Sequence, residues 1–346
     1  MQMGARNSFT SYLSYLIISS YHIVVLTNQG SVSLRSDPKT LKADQRSLAN
    51  FKTKANAVLT QFDFPIYLLA ATARDIFRKP RTGMWRELLD ELDMDPGKGP
   101  DLEESFFVGD AGGRAAAGDR KADHACSDRD FAANVGIKFH TPEEYFLKED
   151  PQPFTRNFEP KDYLIQANLT SSTDITPIVF ERRNELDIVV MCGCPGCGKS
   201  TFYWNKLRPL GYERVNQDIL KSRDKCVKAA SAFLDSRTSV AVDNTNADTD
   251  TRAVWVKLAS DYQVPIRGIH FTAPVKLCEH NDTVRALAGE AFNPEKRSIL
   301  PHSAFHSFKA RFKDPQVREG LQDVVKVDFQ YQRSEEAKKI WTQYWI

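Results

Sequence analysis

A glycine-rich segment near the middle of the chain has the residue types that bind nucleotide phosphates. Residues 193–200 read Gly-Cys-Pro-Gly-Cys-Gly-Lys-Ser, in which two glycines separated by four residues precede a lysine and a serine. Glycines let backbone N–H groups turn toward phosphate oxygens, and the helix that follows adds its partial positive charge. The lysine neutralises β- and γ-phosphates, and the serine hydroxyl ligates Mg²⁺. The predicted nucleotide-binding residues are Gly193, Gly196, Gly198, Lys199, Ser200 and Thr201, with Ser200 also the predicted Mg²⁺ ligand.

Three cysteines lie in or beside this segment and raise a competing interpretation, a bound metal. Cys192, Cys194 and Cys197 have the spacing C-x-C-x-x-C, but a zinc ribbon needs a second pair of ligands. We favour their assignment as small residues that fit close to phosphate. The chain has six cysteines among 346 residues, which fits a reducing compartment better than a disulfide scaffold.

Phosphoryl transfer to a hydroxyl also needs a group that takes the hydroxyl proton, usually a carboxylate. Two polar segments, 216–218 and 243–246, each follow a predicted strand, and open α/β sheets bind ligands at the carboxyl ends of their strands. Asp218 is the candidate base, although its position suits a helix cap equally well. Arg285, on a helix further along, either reaches the transferred phosphate or is a solvated surface charge.

The first half of the chain has a similar arrangement with different groups at the strand ends. Thr27 follows one predicted strand, Lys79 the next and Asp110 the third. This order suits phosphoryl chemistry on an aspartyl nucleophile. Thr27 would hold phosphate oxygens, Lys79 would neutralise charge, and Asp110 with Asp123 or Asp128 would hold Mg²⁺.

Length and composition place these motifs in a globular protein of two domains. The chain has 346 residues, 41% hydrophobic and 27% charged, with a net charge of +2. A polyanion would therefore have to bind local basic clusters rather than a global positive field. The longest apolar run is far too short to span a membrane. A proline-rich stretch without periodicity predicts a linker at 149–183 between domains 1–148 and 184–346.

Strands and helices alternate throughout, which predicts an α/β fold with parallel sheets. The predicted strands cover 21–26, 66–72, 106–108, 187–192, 212–215, 239–242 and 266–271. In the second domain, the predicted helices cover 199–207, 219–234, 251–262 and 274–287. Thr141 and Glu144 form a capping box that begins a short helix in the first domain.

Together these motifs resemble those of the bifunctional polynucleotide kinase/3′-phosphatases, a family of DNA end-repair enzymes. The matching segments are 24–29, 78–80, 82–85, 107–111, 113–114, 127–129, 131–132, 141–144, 193–200, 215–216 with 218, and 243–246. The resemblance implies two three-layer α/β domains with parallel sheets, a haloacid dehalogenase-like phosphatase followed by a P-loop kinase.

The resemblance also implies roles for particular residues. Asp218 matches the general base for a 5′-hydroxyl, while Lys199 and Ser200 match ligands of ATP and Mg²⁺. Arg285 matches a lid arginine near the phosphates. Thr283 stands where the family has a second arginine, so local contacts to DNA or ATP are expected to differ.

One motif that the resemblance implies is missing. Haloacid dehalogenase phosphatases begin with a strand ending in Asp-x-Asp-x-Thr, which must precede the segment of Thr27. The chain contains no Asp or Glu before Asp37, so we expect no phosphatase nucleophile, no central strand and a poorly packed first domain. We favour a truncated or mis-spliced gene model over a natural kinase with an inactive phosphatase domain.

The sequence therefore predicts ATP-dependent phosphorylation of 5′-hydroxyl polynucleotide ends, with the family's 3′-phosphatase activity lost. One alternative is an adaptor that grips a 3′-phosphate through Thr27, Lys79 and Arg114 without cleaving it, and another is a kinase of small metabolites. We expect a monomer that binds DNA ends and ATP but no membrane, and that lacks an N-terminal phosphopeptide-binding module. The resemblance implies a nuclear location, with mitochondria as a second one.

Overall fold

The computed structural model describes residues 12–34, 38–94, 99–118, 120–164 and 180–346. Its contacts divide the chain into two compact units, with the division between Asn157 and Phe158. This point lies inside the predicted linker 149–183, and the limits of 1–148 and 184–346 stay a prediction. Residues just before the division belong to the first unit, because the Thr155 backbone N–H donates to the Gly113 carbonyl at 2.9 Å.

Among the described residues, the second unit is built on a parallel sheet of five strands. They are β5 (Ile188–Cys192), β6 (Glu213–Val215), β7 (Val240–Val242), β8 (Ile266–Phe271) and β9 (Val324–Val327), in the order β6-β7-β5-β8-β9. β5 is wholly buried, and its alternate side chains enter two cores, Val189 and Met191 on one face and Ile188 and Val190 on the other. The unit thus has the predicted three-layer α/β architecture.

Helices cover both faces of this sheet. They are α5 (Lys199–Phe202), continued by a π-helix (Tyr203–Leu207), α6 (Gln217–Leu220), α7 (Arg223–Asp235), α8 (Thr249–Asp261), α9 (Val275–Leu287), α10 (His302–Arg311) and α11 (Glu335–Trp341). Side chains of α7 and α8 join the core of Ile188, whereas those of α5, α9 and α10 join the core of Val189. The predicted helix 219–234 is interrupted at Lys221, whose φ is +73°.

The described part of the first unit contains two pairs of parallel strands. Its elements are α1 (12–18), β1 (Val24–Asn28), α2 (Leu41–Leu59), β2 (Tyr67–Ala71), α3 (Gly83–Glu91), β3 (Phe106–Val108), α4 (Ser127–Val135), β4 (Lys138–His140) and a π-helix (Glu143–Leu147). β1 pairs with β2 and β3 pairs with β4, and no strand in the described ranges joins the two pairs. The predicted capping box is present, since Glu144 accepts from the Thr141 backbone N–H at 2.9 Å.

The two strand pairs share one small core that includes Leu26, Met84 and Phe131. Val25 of β1 is 41% exposed, whereas every residue of β5 in the second unit is buried. An interrupted sheet leaves edge carbonyl groups that need other partners, and the Lys79 ammonium donates to one of them, the Leu26 carbonyl, at 2.7 Å. The first unit is therefore less completely enclosed than the second. In neither unit is any described helix both long and apolar enough to cross a bilayer.

Candidate active sites

The glycine-rich segment forms the turn between β5 and α5. Gly196 and Gly198 have φ values of +82° and +101°, a region that side chains with a Cβ rarely adopt. At Gly193 the backbone N–H donates to the Thr245 carbonyl at 3.1 Å, which fixes the start of the loop beside the segment after β7. The loop conformation is the one that the spacing predicts for cradling phosphate.

Lys199 and Ser200 begin α5, with Thr201 exposed beside them. The Lys199 ammonium is buried and donates to the Gly193 and Cys194 carbonyls at 2.8 Å each. Its positive charge thus lies inside the concave side of the loop, and the aligned N–H groups of the helix start point to the same side. Lys199 is placed to neutralise an anion held by the loop.

Ser200 forms a pair with Asp243, an acid that the sequence predicts at the carboxyl end of a strand without a specific role. The Ser200 hydroxyl donates to Asp243 Oδ2 at 2.8 Å, and Asp243 lies just beyond β7 with its side chain 2% exposed. The Arg214 guanidinium donates to Ser200 Oγ and to Asp243 Oδ2. These two oxygens already share a cation, and oxygen atoms are the ligands that Mg²⁺ prefers. P-loop enzymes usually hold Mg²⁺ with the serine or threonine of the loop and an aspartate at the end of a strand. The sequence feature that could have identified Asp243 as a metal ligand is its position directly after a buried strand.

Asp218 lies at the start of α6 but does not cap it. The cap is Asn216, whose side-chain oxygen accepts from the Asp218 and Ile219 backbone N–H groups, so the helix-cap interpretation of Asp218 is wrong. The Asp218 carboxylate is 74% exposed, and its Oδ2 lies 3.2 Å from the Arg297 guanidinium. It is therefore open to an incoming hydroxyl group.

Arg285 is not a solvated surface charge, which corrects the second interpretation offered for it. It is 26% exposed, pairs with the buried Asp282, and its Nε has no hydrogen-bond partner in the described structure. Burial lowers the pKa of Arg285 and raises that of Asp282. Thr283 bonds back to the Glu279 carbonyl at 2.9 Å within α9. Arg297, on the segment between α9 and α10, was missed because no periodic pattern or motif marks it.

The cysteines around the loop are buried packing groups. Cys194 and Cys197 belong to the same core as Val189 and are 2% and 4% exposed. Burial raises the pKa of Cys197, and it raises the pKa of Cys192 to about 12. Burial therefore opposes the loss of the thiol proton that metal binding requires. In the described ranges, no three His, Cys, Asp or Glu side chains are grouped to hold a metal ion.

In the first unit, the structure brings Lys79 and Asp128 together. The Lys79 ammonium lies 2.8 Å from Asp128 Oδ1 and 4.9 Å from the centre of the Phe107 ring. Asn28 fixes the Lys79 backbone, accepting from its N–H at 2.9 Å and donating to its carbonyl at 3.1 Å. The Thr27 hydroxyl, at the end of β1, accepts from the Gln29 amide at 3.0 Å.

The three acids proposed for Mg²⁺ in this unit have different surroundings. Asp128 accepts from the Ala111 backbone N–H at 3.1 Å, beside the exposed Asp110. Asp123 instead accepts from Arg114 through three nitrogens, at 2.9, 3.0 and 3.1 Å. Although burial opposes ionisation, these bonds lower the pKa of Asp123. Arg114 is 4% exposed and also bonds Glu143, so the adaptor hypothesis loses one of its three phosphate contacts.

Comparison with known proteins covers both units. Residues 5–146 match a family model described as polynucleotide kinase 3 phosphatase, and residues 188–225 and 222–315 match one described as an AAA domain. The chain is 37% identical over 318 residues to a bifunctional polynucleotide phosphatase/kinase of Schizosaccharomyces pombe, covering 92% of this chain and 71% of that protein. It is 30% identical over 158 residues to the polynucleotide 3′-phosphatase ZDP of Arabidopsis thaliana, covering 43% and 21%. A gluconokinase structure from Sinorhizobium meliloti 1021 is similar with a TM-score of 0.33 and 18% identity, covering 47% of this chain and 93% of that one.

Proposed function

Because the chain belongs to the family of bifunctional polynucleotide phosphatase/kinases, we propose that it transfers the γ-phosphate of ATP to 5′-hydroxyl ends of DNA. The observation that carries this proposal is the arrangement in the second unit. A buried Lys199 and the pair of Ser200 with Asp243 lie at the P-loop. An exposed carboxylate, Asp218, follows β6, the strand that pairs with β7. A nucleotide site and an open proton acceptor at one edge of a parallel sheet suit phosphoryl transfer to a hydroxyl.

In this mechanism Asp218 takes the proton of the 5′-hydroxyl. The hydroxyl oxygen bonds to the γ-phosphorus as the bond from that phosphorus to the bridging oxygen breaks, and ADP leaves. Ser200 and Asp243 would hold Mg²⁺, which neutralises phosphate charge when bound. Lys199 neutralises charge on the β- and γ-phosphates. Arg285, held by Asp282, is the arginine proposed to approach the transferred phosphate from α9.

We propose that the first unit does not hydrolyse 3′-phosphates. Thr27, Lys79 and the pair of Asp110 with Asp128 are the residues proposed for phosphate and Mg²⁺. The chain has no Asp or Glu before Asp37 to form an aspartyl-phosphate, and Lys79 is neutralised by Asp128. The proposed setting is DNA end repair in the nucleus.

A paired assay on one purified chain tests both parts of the proposal. It measures phosphate transfer from ATP to a 5′-hydroxyl oligonucleotide and phosphate release from a 3′-phosphate oligonucleotide, each with DNA and RNA. Transfer to DNA without release is the expected result. Release of phosphate would show that another residue serves as nucleophile, and no transfer to either nucleic acid would contradict the kinase assignment.

The substitution Asp218→Asn sharpens this assay. It keeps the shape of the side chain but removes its basicity, so transfer should fall at least about 100-fold while ADP binding stays unchanged. Asp224→Asn, which changes an exposed acid in the first turn of α7, is the matched control and should keep full activity. Retained transfer in Asp218→Asn would remove Asp218 as the base.

A further inference from the structure

Arg214 occupies the candidate metal site from β6. Its NH2 group donates to Ser200 Oγ at 3.0 Å and to Asp243 Oδ2 at 2.5 Å, and its Nε donates to the same Asp243 oxygen at 2.8 Å. The Arg214 side chain is 7% exposed. Burial disfavours its charge, but Asp243 and Glu295 together outweigh burial and raise the pKa of Arg214. The two oxygens suited to Mg²⁺ are therefore bridged by an internal cation.

The other side of the same guanidinium contacts a second acid. Arg214 NH1 donates to Glu295 Oε1 at 2.8 Å. Glu295 also accepts from Arg297 at 2.6 Å, and Arg297 lies 3.2 Å from Asp218. The Tyr203 and Trp204 rings lie 5.6 and 5.5 Å from the Arg214 guanidinium carbon. If Arg214 moves off Asp243, it keeps a carboxylate partner and aromatic faces.

We propose that Arg214 is an exchangeable cation of the metal site, which neutralises Asp243 until a divalent cation displaces its guanidinium toward Glu295. Mg²⁺ needs the oxygen lone pairs that Arg214 occupies, and two cations within contact distance repel each other. Arg214 therefore lowers the affinity for Mg²⁺ and keeps Ser200 and Asp243 together without it. The contacts through Glu295 and Arg297 link the exchange to Asp218. The inference rests on the proposed function only in that Mg²⁺ accompanies the nucleotide.

Arg214→Met tests the exchange, because it keeps much of the apolar stem and removes the charge. Calorimetry measures the ADP dissociation constant with EDTA and with saturating Mg²⁺, and the ratio of the two values reports how strongly Mg²⁺ assists binding. We expect this ratio to rise about tenfold in the variant, the effect of losing one or two charge-assisted hydrogen bonds that compete with the metal. A ratio that is unchanged or smaller would overturn the proposal.

Two further variants make the test independent of how well Arg214→Met folds. Arg208→Met removes a nearby guanidinium that lies 4.8 Å over the Trp204 ring, and the ratio should stay at the wild-type value. Glu295→Gln removes the carboxylate that receives Arg214, so Arg214 should hold Asp243 more firmly and the ratio should fall. A rise in Glu295→Gln would contradict the exchange.

This measurement uses no polynucleotide, so it separates the exchange from the proposed function. If the predicted ratios are found but no oligonucleotide is phosphorylated, the exchange stands and the substrate assignment fails. If oligonucleotides are phosphorylated and the ratios do not differ among the variants, the kinase stands and Arg214 has a structural role only.

Discussion

At the scale of single residues, Gly196 is the position at which the P-loop most clearly requires a residue without a side chain. Its φ is +82°, and a Cβ there would lie 2.3 Å from the Cys278 carbonyl oxygen of α9. Gly196→Ala should therefore push the loop away from α9 and destabilise the second unit by about 2–3 kcal/mol or more. ADP binding should weaken at least about tenfold, because the loop N–H groups lose their alignment. Chemical denaturation and ADP titration measure the two effects.

Gly211→Ala separates the clash from backbone strain. Gly211 has a φ of +83° and a ψ of 21°, and a Cβ built there would lie 3.5 Å from a guanidinium nitrogen of Arg182, which is an ordinary contact distance. This variant should lose only about 1 kcal/mol of stability from the left-handed backbone and should bind ADP normally. Equal losses in the two variants would show that contact with α9 does not shape the loop.

Some residues of the candidate site could be predicted from the sequence, and others could not. Gly198, Lys199 and Ser200 were predictable because phosphate binding needs particular residue types at fixed spacing, and local backbone geometry does the rest. Arg214 and Arg297 were not predictable, because their partners come from segments far apart in the chain and a long charged side chain can point in many directions. Their contacts exist only once the sheet and the segment after α9 are packed.

At the scale of elements, α9 and α11 meet at a buried imidazole. His280 Nε2 lies 2.8 Å from the Trp341 carbonyl, while Nδ1 is buried without a hydrogen-bond partner in the described residues. Burial lowers the pKa of His280 to about 3, from an ordinary value of 6.5. The unfolded chain therefore binds more protons between these values, so stability is full above pH 6.5 and falls as the pH drops through that window. Between pH 6.5 and 5 the loss should be about 2 kcal/mol.

Urea denaturation of the second unit at several pH values measures this slope. His280→Gln keeps a donor for the Trp341 carbonyl but cannot take a proton, so its stability should depend less on pH over the same range. His306→Gln, which changes an exposed side chain of α10, should keep the wild-type slope. A parallel decline in wild type and His280→Gln would assign the pH dependence to other groups.

The elements also show the limit of pattern-based prediction. The strand at Phe106–Val108 and the strand at Ile266–Phe271 were predicted at their observed bounds, because short apolar runs between turn residues leave few alternatives. The helix break at Lys221 was missed because Asn216 and Ser222 each cap a helix, and the apolar spacing continues across the break. β9 and α11 were not predicted, because they are short elements whose burial depends on contacts with segments distant in the sequence.

At the scale of the whole molecule, the two units have separate cores, and the core of the second unit is more completely enclosed. The second unit encloses a continuous five-stranded sheet, whereas the described strands of the first unit form two separate pairs. Units with separate cores unfold separately unless a large interface couples them. We therefore predict two transitions in differential scanning calorimetry, with the first unit unfolding at the lower temperature.

Magnesium and ADP identify which transition belongs to which unit. A ligand that binds only the folded state stabilises it by about 2.7 kcal/mol at 100 times its dissociation constant, so MgADP should raise the upper transition and leave the lower one in place. Limited proteolysis between the two transitions, followed by mass spectrometry, should recover a fragment beginning near Phe158, the first residue of the second unit. A single transition raised by MgADP would mean that the first unit is as stable as the kinase unit or is held by it. The separate strand pairs would then not weaken that unit, and the expectation of a poorly packed first domain would be wrong.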